Sequence, residues 1–117
     1  MDTSEVLETR RKKNEALEAT VASATRSRDE AVDAVRLTST AASEAIAERE
    51  QLATRYKDAQ KGKATSEVID RIEAAIVDVD CKVVATTNEY DQAAAALAEA
   101  EQATITAEGA VADSEGL

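Results

Sequence analysis

The chain has no proline, histidine, phenylalanine or tryptophan, and only one cysteine and three glycines, in 117 residues. Each shortage excludes something. Proline and glycine are the usual interrupters of regular structure, so their scarcity permits very long helices. Without histidine there is no Ser-His-Asp or Cys-His arrangement, and no Glu-x-x-His pair of the kind that holds a di-iron centre. A single cysteine, Cys81, rules out an internal disulfide and a cysteine-based zinc site within one chain. The sequence has no glycine-rich phosphate loop and no calcium-loop pattern. Asp78-x-Asp80 is too slight to hold a metal, and Cys81 has only Lys82 beside it, without the basic cluster that activates a thiol. No catalytic, cofactor-binding or metal residues are assigned, and the expectation is a non-enzyme without a cofactor.

Long apolar runs are also missing, so no segment is expected to span a membrane. The opening Met-Asp-Thr-Ser-Glu lacks the basic-then-apolar order of a signal peptide. An intracellular or intravirion location is the expectation from these features. The net charge of −10 and the lack of aromatics other than two tyrosines argue against nucleic acid as a partner.

What the chain does contain is alanine and a helical repeat. Of the 51 hydrophobic residues 26 are alanine and only 21 are Leu, Ile or Val, too few for a thick globular core. From Ile69, steps of three and four visit Ile72, Ile76, Val79, Val83, Thr86, Tyr90, Ala93, Leu97, Ala100, Thr104, Ala107 and Val111. A 3.5-residue repeat sustained this long is the seam of a coiled coil. A weaker version begins at Leu7 and runs through Leu17, Val21, Val35, Leu52 and Tyr56, interrupted by Arg10, Asn14, Arg28 and Arg49. Such arginines either set register or lie over flanking alanines with their heads in water, and the second reading is preferred.

Between the two repeats, Gly62 is expected to take the left-handed conformation that ends a helix, and Thr65 or Ser66 to cap the next. The fold expected is all-α: a long antiparallel two-helix coiled-coil hairpin. Its first helix spans about 3–60, the turn 61–65, the second helix about 66–108 and a tail 109–117, with Gly109 fraying the end. A connection this short makes the helices antiparallel neighbours, with facing residue numbers summing to about 128. Residues 1–64 hold twelve basic and twelve acidic side chains, whereas 65–117 hold two and twelve. The whole net charge therefore sits on the second arm. Folding back brings Arg10–Lys13 toward Asp113 and Glu115, and Arg28 toward Glu99 and Glu101.

Apolar residues also recur outside the seam positions, at Val77, Cys81 and Val84 on the face of the second helix opposite the seam, and at Val32 and Ile46 on the first, beside the seam and widening it. Stripes beyond a hairpin seam are what a bundle or docking surface requires. The functional expectation is a structural or assembly protein that makes protein contacts, by self-association or within a larger complex such as a virion. A helical protein lying on a membrane surface, and an acidic decoy for a basic partner, are the alternatives.

Overall fold

The computed structural model describes residues 3–115, with side chains through residue 113. Helix α1 spans Thr3–Lys61 and helix α2 spans Ser66–Glu115, with no strand among the described residues. The two helices pack against each other as a hairpin. With no internal proline, neither backbone ladder is broken between its ends.

The turn closes differently from the expectation. Gly62 keeps a negative φ and still donates a helical hydrogen bond to the Asp58 carbonyl, at 2.8 Å. The left-handed residue is Lys63, at φ 56°. Its position follows from the next hydrogen bond, in which the Ala64 N–H reaches back five residues to the Ala59 carbonyl at 3.0 Å. That six-to-one closure requires the residue just before Ala64 to be left-handed. Gly62 serves another purpose: a Cβ there would stand 3.1 Å from the Asp58 oxygen.

Thr65 is the cap of α2. Its hydroxyl accepts from the Val68 N–H at 3.3 Å, and its carbonyl accepts the first helical bond, from Ile69, at 3.1 Å. Glu67 stands in the first turn, where the helix dipole favours a carboxylate.

The far end of α2 is a second correction. The helix does not stop at Glu108; it continues through Gly109 to Glu115, and residues 116–117 of the expected tail lie outside the described residues. Gly109 has an ordinary negative φ, and Ala110 and Val111 beyond it are half-buried. Burial of the next seam turn offsets the roughly 1 kcal/mol that glycine costs in a helix interior.

Two compact units can be distinguished, one formed by Ala34–Ala93 and the other by the chain on either side of it. In the first, Ala45, Leu52 and Val79 form the buried centre. In the second, Ala107 and Thr104 are the buried positions. Both centres are thin, as an alanine-rich seam dictates.

Candidate functional site

The functional surfaces of a two-helix protein are its seam, which sets the shape, and whatever its outer faces offer. The expected seam residues of α1 fall as follows. Leu17, Val21, Val35 and Tyr56 are half-buried and Leu52 is buried, while Leu7 and Arg10 at the start are exposed. On α2, Ile69, Ile72, Ile76, Val83 and Leu97 are half-buried and Val79 is buried. Tyr90 differs and is exposed. The seam beside it is built of Ala93 and Ala94, too small to cover a phenol ring whose polar end also favours water.

Threonines inside the seam need a hydrogen-bond partner, and each finds one on its own helix. Thr104 is only 3% exposed, and its hydroxyl donates to the Ala100 carbonyl at 3.0 Å. Thr38 and Thr86 bond to Ala34 and Lys82 in the same way, at 2.7 and 2.8 Å. Back-bonding to the preceding turn lets a hydroxyl be buried without a cross-helix partner. Among the described residues no buried side-chain nitrogen or oxygen lacks a partner.

Within the Ala34–Ala93 unit, three polar links cross the seam. Arg49 Nε donates to Asp80 Oδ1 at 2.6 Å, Lys82 Nζ to Glu48 Oε2 at 3.2 Å, and Tyr56 Oη to Glu73 Oε1 at 3.0 Å. The residue numbers of each pair sum to 129 or 130. Arg49 thus does more than drape over alanine, because its guanidinium reaches across the seam to Asp80. The Tyr56 hydroxyl is pushed above its ordinary pKa, first by its hydrogen bond to the Glu73 carboxylate, then by that group's charge and by desolvation.

In the other unit, one shallow groove is lined by Glu18, Val21, Glu108 and Val111, and another by Arg28, Glu101, Thr104, Ile105 and Glu108. Arg28 therefore stands beside Glu101, but its ion pair is with its neighbour Asp29, at 3.5 Å. Arg11 likewise pairs along its own helix, with Glu8 and Glu15. The side chain of Glu115, one of the expected partners of this basic run, lies outside the described residues.

The second group of expected residues lies beside the seam on α1 and opposite it on α2. Val77 is 62% exposed, Val84 60%, Val32 47% and Ile46 46%, and Cys81 is a free, exposed thiol. Val77, Cys81 and Val84 stand one turn apart on α2, on the side away from the seam. Sequence reasoning passed over Leu37 and Ile105, exposed at 60% and 62%. Ile105 could have been found, since it repeats the heptad position of Val77 and Val84. Leu37 is isolated among polar neighbours and gives no periodic signal.

Among the described residues, no group of three His, Cys, Asp or Glu side chains is placed to hold a metal, and no helix is long and apolar enough to cross a membrane. No protein-family model matches the chain, and neither a curated protein nor a solved structure is detectably similar to it.

Proposed function

We propose that the chain is a non-enzymatic structural protein, a helical hairpin that mediates protein–protein contacts within a larger assembly. One observation carries this reading: large apolar side chains are more numerous outside than inside. Leu52 and Val79 are the only Leu, Ile or Val residues buried among those described, whereas Leu37, Val77, Val84 and Ile105 are each at least 60% exposed. A scattered valine on a surface needs no explanation, but a stripe at one-turn spacing is what a further helix would cover. An interior or intravirion setting suits such an accessory subunit, and self-association is included among its contacts.

Membrane-surface binding has less support. It needs a broad face of large apolar residues with basic flanks, and α2 has twelve acidic side chains against two basic ones over residues 65–117. A decoy for a basic surface draws on the same carboxylates but leaves the apolar stripe without a role. Net charge −10 makes nucleic acid an unfavourable partner.

The test is the size of the native species. Fractionated from its own source under gentle conditions, the protein should migrate in a complex several times its monomer mass, with defined stoichiometry. Migration as a free monomer throughout, with intact helical circular dichroism, overturns the assembly reading.

A further inference from the structure

We propose that the outer face of α2 around Cys81 binds the basic start of α1 from a second copy of the chain, head to tail. This inference rests on the assembly reading and names the occupant of the exposed stripe.

The receiving face has a defined form. Positions i, i+3, i+4 and i+7 on a helix surround a hole that one side chain of a crossing helix can fill. Here they are Val77, Asp80, Cys81 and Val84, with the two valines about 10 Å apart along the axis. The small cysteine leaves the floor open. One heptad further out on each side the stripe ends in a carboxylate, Asp70 and Asp91, and Asp78 stands next to Val77. Asp80 is held by Arg49, but Asp70, Asp78 and Asp91 have no ion pair among the described residues. The face is thus an apolar hole bordered by uncompensated negative charge. It disfavours a second copy of itself and favours an apolar knob followed by cations.

The chain carries such a segment. Leu7 is 60% exposed and Val6 beside it 41%. Leu7 stands at a position of the α1 seam repeat and is nevertheless exposed. Immediately after it come Arg10, Arg11, Lys12 and Lys13. Arg11 is engaged by Glu8 and Glu15, but Arg10, Lys12 and Lys13 have no partner among the described residues. Residues 3–13 hold four basic and two acidic side chains, while residues 66–93 hold two and seven. Hole and knob, and the two signs of charge, match.

The two surfaces differ, so one copy's segment meets another copy's face, and the contact closes as a reciprocal pair or ring or runs on from copy to copy. That gives a decisive mixing experiment. Wild-type protein should show a weight-average mass in sedimentation equilibrium that rises with concentration. It should fall back to the monomer in about 1 M salt, where the screening length is only about 3 Å. Val77→Lys with Val84→Lys spoils the face, and Arg10→Glu with Lys13→Glu spoils the basic segment. Each variant alone should lose association by about tenfold or more. Mixed in equal amounts they should form a dimer and nothing larger, because one intact face meets one intact segment. Cys81→Arg, a single change that fills the hole with the wrong charge, should act like the first variant.

Wild type that remains monomeric at every concentration overturns the pairing. So does either variant that still associates as wild type does, which would point to another surface and leave the assembly reading standing. Association that salt does not weaken, or binding of the basic segment to anionic vesicles in place of a second copy, also overturns it.

Discussion

At the scale of single residues, the turn shows how a hydrogen bond can decide what composition does not. Glycine is the usual residue for a left-handed position, yet Gly62 sits one place early and Lys63 takes the strain. A non-glycine residue in that conformation costs roughly 1–2 kcal/mol, part of which glycine returns through its larger unfolded-state entropy. Lys63→Gly is therefore expected to stabilise the protein by roughly 0.5–1 kcal/mol, read as a higher urea midpoint at unchanged slope. A loss of stability would mean that the lysine side chain matters more than the backbone.

Tyr56 provides a second residue-scale test. Its raised pKa means that the folded state favours the protonated phenol that donates to Glu73. The stabilisation is complete below the ordinary tyrosine pKa and is lost as pH rises through the higher folded value. In a Tyr90→Phe background Tyr56 is the sole tyrosine, so its titration can be followed by tyrosinate absorbance. The midpoint should lie above the ordinary value and move down in Glu73→Gln. A midpoint indifferent to that substitution would remove the cross-helix bond from the account.

At the scale of elements, what could be read from the sequence was what repeats. Steps of three and four mark helix and seam together, so two helices followed from Ile69–Val111 and its weaker counterpart, and the short turn between them made the pair antiparallel. What could not be read depended on single hydrogen bonds or on local competition. The choice of Lys63 over Gly62 hinges on one carbonyl, that of Ala59. The pairing of Arg49 with Asp80, in place of a draped side chain, hinges on which carboxylate the register brings within reach. The continuation of α2 past Gly109 was a contest between glycine's entropy and the burial of Val111, and sequence alone gives no weights for it.

That contest leads to a prediction. Gly109 is helical, has a negative φ, and a Cβ added there would meet nothing within 4 Å. Gly109→Ala should therefore stabilise by roughly 0.5–1 kcal/mol, measured by thermal or urea unfolding. Had the helix ended there in a left-handed residue, the same substitution would destabilise, so the sign distinguishes the two arrangements.

At the scale of the whole molecule, charge is the dominant asymmetry. Arg49–Asp80 and Lys82–Glu48 are ion pairs across the seam, both partly exposed to solvent. Exposed pairs are worth about 0–1 kcal/mol each. Against them stand the twelve acidic side chains of residues 65–117, with two bases among them. Acids such as Glu67, Asp70 and Glu73 recur three residues apart on the same helix, and like charges at such spacing are destabilising. Arg71 offsets one such contact through its ion pair with Glu67, at 3.2 Å, and the excess of acids makes net repulsion within α2 the expected balance. Sodium chloride, which screens attraction and repulsion alike, should on balance stabilise the hairpin, by about 1 kcal/mol or roughly 4–8 °C between low and high salt. The measurement is a far-ultraviolet circular dichroism melt at high dilution, where copies do not associate. The effect is opposite in sign to the salt dependence expected of head-to-tail contact, which brings acidic α2 against a basic segment. A melting temperature that falls with salt would mean that the cross-helix pairs, not the self-repulsion of the acidic arm, govern the balance.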